Sequence, residues 1–248
     1  MDSPVIFSGA ISVKAALESG VRPVKTLYVD RKKDDRDVAY ILRLARSKGV
    51  DVTLTDRETV ERVAQNTSCG GICAEVGERT YATVKDLLSV QNPLLVLLEG
   101  VEDPYNFGEA VRSAYAAGAT GLVVPSHTWA GAEDVVCRTS AGASERLSTV
   151  AADDLAPVLD ELRAAGVRVL AADRRDAVSL YDADLTGPVL LCVGGRLRGL
   201  SRTVSDRTDR RVYIPYGRDF KNSLTAPSAC AVLCFEALRQ RGVKEPCI

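Results

Sequence analysis

A single histidine, His127, is present in 248 residues, and that scarcity removes every mechanism needing a Ser-His or Cys-His pair except one built on it. It sits in Pro125-Ser126-His127-Thr128-Trp129, where it reads as a solvated loop residue. No CxxC occurs. The seven cysteines, Cys69, Cys73, Cys137, Cys192, Cys230, Cys234 and Cys247, are odd in number and set in apolar or small-residue surroundings. They read as buried free thiols, and no metal site is expected. No apolar run nears the ~18 residues of a membrane span, and Met1-Asp2-Ser3-Pro4 lacks the basic start of a signal peptide. The expectation is a cytoplasmic protein without a membrane partner. Neither a GxGxxG dinucleotide turn nor a GxxxxGK[ST] phosphate loop is present, which argues against an unrelated nucleotide-dependent enzyme.

Charge of one sign is also in short supply: the net charge is −1, so a polyanion would have to be met by a local patch. One candidate is Arg31-Lys32-Lys33, diluted by Asp34 and Asp35. The denser one runs from Arg196 to Lys221, where Arg196, Arg198, Arg202, Arg207, Arg210, Arg211, Arg218 and Lys221 face only Asp206, Asp209 and Asp219.

What is there is an ordinary globular composition, 46% hydrophobic and 26% charged, with alternating strand and helix patterns. Val24 to Val29 and Val50 to Thr55 read as strands, with a helix from Asp37 to Ser47 between them. A helix opening at Asp56 takes Thr55 as N-cap and Glu58 as its capping-box partner. Ile72 to Val76 is a further strand, and Tyr81 to Gln91 a bridging helix before the Asn92-Pro93 break. From Leu94 burial deepens: Leu94 to Leu98 is an uninterrupted apolar strand, as in a parallel sheet covered on both faces. Helices follow at Glu109 to Ala117, Asp134 to Thr139 and Ala156 to Ala165, with strands at Gly121, Ser148, Val167, Pro188 and Arg211. A last helix runs from Ala226 to Arg241.

Ligands of open parallel sheets bind beyond the carboxyl ends of the strands. Three loops there have unusual composition: Glu99 to Gly108 before the helix bearing Arg112, Gly194 to Ser201 after the Val189 strand, and Asn222 to Ala229 after Ile214-Pro215. Gly194, Gly195 and Gly199 let backbone approach a ligand closely, although a glycine-rich turn is as often plain turn chemistry.

The ordered set Asn106-x-Gly108-x-x-x-Arg112, Gly194-Gly195-x-x-Arg198-Gly199-Leu200-Ser201, and Ile214-Pro215 with Ser223-Leu224 before a helix ending Leu238-Arg239-Gln240 resembles the three motifs of the SpoU (TrmH-like) branch of the SPOUT RNA methyltransferases. Ser140-Ala141-Gly142-Ala143 is similar to a stretch that family carries between its first two motifs. Ser8-Gly9 and Gly70 to Val76 resemble segments of the ribosomal-protein-like domain many members place first.

The resemblance covers the whole chain. It implies a substrate-binding domain over residues 1–79, a linker helix over 80–92 and a methyltransferase domain over 93–248, whose parallel α/β fold carries a deep trefoil knot. It implies a homodimer with the site near the interface, S-adenosylmethionine as cofactor, and methyl transfer to a ribose 2′-hydroxyl of structured RNA, ribosomal or transfer. Arg112 would sit at the ribose, orienting it and stabilising developing alkoxide charge, because a free guanidinium is too weak an acid to serve as an ordinary base, with base action by it left as the alternative. Asn106 would order its loop and Ser223 support the site. Val193, Gly194, Gly195, Gly199, Ile214, Leu224 and Thr225 would hold the cofactor, and Arg31, Lys32, Arg196, Arg198 and Lys221 the RNA. Arg196 stands where the family usually has glutamate, and Thr225 where its Ser-Leu-Asn ends in asparagine. These two departures keep open a non-catalytic RNA-binding relative that retains the knotted dimer.

Overall fold

The computed structural model describes residues 5–126, 128–129 and 131–242. The expectations for His127, Cys247 and the first four residues lie outside them. The chain forms two compact units.

The first unit comprises the described residues up to Thr80 together with Trp129–Arg146. Its elements are β1 (Val5–Ser8), α1 (Ala10–Ser19), β2 (Val24–Asp30), α2 (Arg36–Ser47), β3 (Asp51–Thr55), α3 (Arg57–Ala64), β4 (Ile72–Val76), α6 (Glu133–Thr139) and α7 (Ala143–Arg146). The four strands lie in the order β1-β4-β2-β3, with β4 antiparallel to both neighbours and β2 parallel to β3. On α2 the residues Val38, Ile41 and Ala45, spaced three and four apart, turn one apolar stripe inward. Asp35 caps that helix by accepting from the Val38 amide at 2.9 Å. The α3 cap is Asp56, not Thr55: its carboxylate accepts from the Thr59 amide at 2.9 Å and is a stronger acceptor than the hydroxyl beside it.

Residues 129–146, which the sequence reading runs within the second domain, belong to this unit. A buried ion network explains why. Glu145 accepts from Arg22 Nε at 2.9 Å and pairs with Arg79 at 2.8 Å, all three side chains being at most 5% exposed. Arg22 also lies 4.9 Å over the Phe7 ring. Ser8 and Arg138 add polar ties to Asp134.

The second unit comprises the described residues of Tyr81–Thr128 and Leu147–Ile248. Its elements are α4 (Val84–Leu88), β5 (Leu94–Glu99), α5 (Pro104–Ala116), β6 (Gly121–Pro125), β7 (Ser148–Ala152), α8 (Leu155–Ala164), β8 (Arg168–Ala172), β9 (Val178–Ser179), a 3-10 turn at Leu180–Asp182, β10 (Val189–Gly194), α9 (Arg202–Ser205), β11 (Arg210–Tyr213) and α10 (Ala226–Arg241). The expected helix from Tyr81 to Gln91 shortens to α4, because the Thr83–Asp86 capping box starts it late. The seven strands lie in the order β7-β6-β5-β10-β8-β11-β9, and every recorded pair is parallel. Leu94, Leu95, Leu97 and Leu98 on β5 are at most 1% exposed, each side chain worth about 1.5–3 kcal/mol of burial. Because β10 inserts between β5 and β8, the chain order switches there, and loops from β5, β8, β10 and β11 leave the same end of the sheet.

Candidate functional site

The loop after β10 is built from backbone. The Gly195 amide donates to the Glu99 carbonyl at 2.7 Å, and Gly199 N–H closes onto the Gly195 carbonyl at 3.0 Å. A Cβ on Gly195 would overlap the Gly100 carbonyl, and one on Gly194 would stand 2.5 Å from the Gly199 carbonyl carbon, so both positions need glycine for close approach. The Glu99 carboxylate accepts from the Ser201 amide at 2.7 Å, and Ser201 caps α9. Arg196, Leu197 and Arg198 are held out at the tip of this closed loop, Leu197 being 85% exposed.

That loop, the residues following β8 and the stretch following β11 surround a cavity of about 640 Å³, within the range of small-ligand sites. Its inner wall is Val193, Gly194 and Gly195 with Val212 and Ile214; Ser223, Leu224, Ala226 and Ala229 close another side. Arg174, Arg175, Arg196, Arg198, Arg202 and Arg211 make its polar rim, with Asp173 3.8 Å from Arg211. An apolar floor, open backbone and a guanidinium rim suit a nucleoside bearing a carboxylate.

Of the residues singled out from sequence, Val193, Gly194, Gly195, Gly199, Ile214, Leu224, Ser223, Arg196 and Arg198 all line this cavity. Thr225 is not among its lining residues: its hydroxyl accepts from the Ser228 amide and lies 2.9 Å from the Ser228 hydroxyl, as N-cap of α10. Lys221 is exposed in the preceding loop, and Arg31 and Lys32 are exposed in the turn after β2 of the first unit.

Arg112 and Asn106 lie on α5, outside the cavity lining. The expected loop from Glu99 to Gly108 is helical from Pro104 onward, with Asp103 as N-cap and Pro104 at the first helical position. Asn106 therefore orders a helix start rather than a loop, its amide donating to Asp103 Oδ2 at 3.1 Å. Arg112 is exposed on the same stripe as Tyr105 and Tyr115, seven residues before it and three after it. The inner face of α5 packs on α10, where the Cys230 thiol lies 3.5 Å from the Ala110 carbonyl.

Arg174 lines the cavity and is not among the residues that the motifs single out, although the rule that ligands sit past the carboxyl ends of parallel strands points to it, since it follows β8. Glu99 and Tyr216 belong to stretches marked as candidates but carry no role there. Of the eight basic residues from Arg196 to Lys221, Arg207 is paired with Asp160 at 2.8 Å and Arg202 with Asp206 at 3.3 Å. Arg196 and Arg198 carry no ion pair among the described residues. Among those residues there is also no cluster of metal-ligating side chains and no helix long and apolar enough to cross a membrane.

Comparison with known proteins gives the family and the fold. The family model described as the SpoU rRNA methylase family matches residues 93–235, and that described as RNA 2′-O ribose methyltransferase substrate binding matches residues 8–82. A protein named 23S rRNA (guanosine-2′-O-)-methyltransferase RlmB from Shewanella oneidensis is 30% identical over 95% of this chain and 97% of the relative. Its namesake from Ralstonia nicotianae is 31% identical over 98% of both. Among solved structures, the SpoU methyltransferase AviRb from Streptomyces viridochromogenes in complex with the cofactor AdoMet superposes with a TM-score of 0.80 at 27% identity, over 95% of this chain and 90% of that one.

Proposed function

The chain belongs to the SpoU rRNA methylase family, and from that premise we propose that it methylates a ribose 2′-hydroxyl of structured RNA, ribosomal RNA foremost, using S-adenosylmethionine. The observation that carries the reading is the convergence of Val193, Gly194, Gly195, Ile214 and Leu224 on one cavity at the switch point of a parallel sheet. S-adenosylmethionine supplies, when bound, an electrophilic sulfonium methyl. The backbone of the β10 and β11 loops would hold it, and Ser223 lies at the cavity where the acceptor would arrive.

Arg112 is assigned to the ribose, which its guanidinium orients while stabilising alkoxide charge as the hydroxyl proton leaves. Asn106 holds the start of the helix that presents it. Because Arg112 lies on an exposed stripe of α5 outside the cavity of its own chain, the reading includes a homodimer, in which Tyr105 and Tyr115 supply apolar contact area. It also includes a trefoil knot in the second unit, as membership of the family implies. The first unit is assigned to RNA capture, with residues 1–79 as the substrate-binding domain and residues 129–146 completing its fold, and a linker over 80–92 joins it to a catalytic domain drawn from the rest of 93–248. Arg31, Lys32, Arg196, Arg198 and Lys221 are assigned to phosphates, and the cytoplasm is the proposed location. Thr225 is absorbed by the α10 cap, so its departure from the family's asparagine need not disable the cavity.

The test is methyl incorporation into 23S rRNA from labelled S-adenosylmethionine, with Arg112→Ala as the discriminating variant. The expected result is loss of about 10²–10³ in rate with unchanged cofactor affinity by calorimetry. Full activity in the variant removes Arg112 from the site, and no incorporation by the wild type into any RNA returns the non-catalytic relative.

A further inference from the structure

The stretch from Ile214 to Leu224 walls the cavity but has little to hold it. Among the described residues no backbone-to-backbone hydrogen bond involves residues 214–224. Side chains do the holding instead. Arg174 Nη1 donates to the Phe220 carbonyl at 3.5 Å and Nη2 to the Asn222 carbonyl at 3.2 Å. The same guanidinium lies 4.3 Å over the Tyr216 ring. The Tyr216 hydroxyl in turn accepts from the Leu224 amide at 3.0 Å, and its ring stands 6.1 Å from that of Phe220.

Arg174 is itself well placed. It follows β8 directly, where the Asp173 carboxylate accepts from the amides of Arg174 at 2.6 Å and Arg175 at 3.1 Å, while the Asp173 amide donates to the Val212 carbonyl on β11. The turn that aims the guanidinium is thus tied to the sheet. Only arginine offers both a flat face for the tyrosine and a fork for two carbonyls.

We propose that Arg174 and Tyr216 are positioning residues that latch the loop between Ile214 and Leu224 to the end of β8, and thereby set the affinity for S-adenosylmethionine without taking part in methyl transfer. The proposal rests on the cofactor reading given above. Its physical content is preorganisation: a loop already fixed by the latch loses less freedom when the ligand enters.

Two exposed trypsin sites, Arg218 and Lys221, lie inside the loop and report its release directly. In the cofactor-free protein, Arg174→Ala should speed cleavage at these sites by about fivefold, while the thermal midpoint stays near that of the wild type. Calorimetry should find S-adenosylmethionine bound about tenfold more weakly. In methylation assays KM for the cofactor should rise in proportion. Tyr216→Phe, which keeps the ring but removes the acceptor for Leu224, should give a smaller loss, and Arg174→Lys should restore only part of what alanine loses. Wild-type cleavage and affinity in Arg174→Ala overturn the latch, as does faster cleavage with unchanged affinity. A wild-type protein that binds no S-adenosylmethionine overturns the cofactor reading and the positioning role with it, while the cleavage rates still decide whether Arg174 holds the loop.

Discussion

The first unit takes Arg22, Arg79 and Glu145 almost wholly out of water and joins them to one another, whereas the second leaves Arg196 and Arg198 exposed on a cavity rim and builds the parallel-sheet core beneath from apolar side chains. In the first, charge fixes the chain to itself. At the tip of that glycine loop, charge is kept for something that is not the chain. The difference teaches where ligand specificity can reside: a guanidinium already satisfied by a buried carboxylate has little left to offer an RNA phosphate, and one held out on a glycine-braced loop has everything.

The sharpest way to break this contrast is to open the buried network. Glu145→Gln removes the carboxylate that Arg22 and Arg79 share in the buried network and should cost about 3–5 kcal/mol, read as a lower urea midpoint. A loss under about 1 kcal/mol would mean that water reaches the network and that the two units handle charge alike. Next in size, Gly195→Ala forces a methyl group onto the Gly100 carbonyl. It should weaken S-adenosylmethionine binding by about ten- to a hundredfold, or ~1.4–2.7 kcal/mol. Calorimetry that finds wild-type affinity would show that the loop accommodates a side chain.

Salt sharpens the comparison from the other side. RNA affinity should fall with rising salt, and Arg196→Ala with Arg198→Ala should flatten the log-log slope by about 0.7 per lost phosphate contact on single-stranded RNA. The same slope after substitution would make the rim arginines ordinary surface charge. The smallest effect is on the thiols. Burial pushes Cys73 and Cys137 of the first unit up to about 12, and raises Cys192 of the second. These groups stay protonated in the fold while unfolded thiols ionise near 8.5. Stability they support is therefore complete below about pH 8.5 and drains away as pH climbs toward 12. Iodoacetamide at pH 8 should leave them unmodified until urea is added; rapid native labelling would contradict their burial.

Local chemistry made much of the fold legible. The α10 bounds followed from the small-residue run after Ser223 and the glycine after Arg241, and the buried strands β5 and β10 from unbroken apolar runs. The start of α5 reads as loop because of the glycine and asparagine around it, although Asp103-Pro104 spells an N-cap and first helical residue. The four-residue β1 was too short to carry a period. Glu145 sits 123 residues from Arg22, so no window along the chain could pair them. Arg174 was hidden differently: in Asp173-Arg174-Arg175-Asp176 it looks like solvated charge, and only the fold brings the carbonyls of residues 220 and 222 to it.

The first unit is assembled from two pieces of chain, and its buried carboxylate lies in the second piece. On a ribosome adding ~5–20 residues per second, residues 81–146 take several seconds to appear. Throughout that interval Glu145 has yet to reach Arg22 and Arg79. The nascent amino-terminal segment thus waits, incomplete, for helices still to be translated, and a chaperone would meet it in that interval as a four-stranded sheet lacking part of its cover.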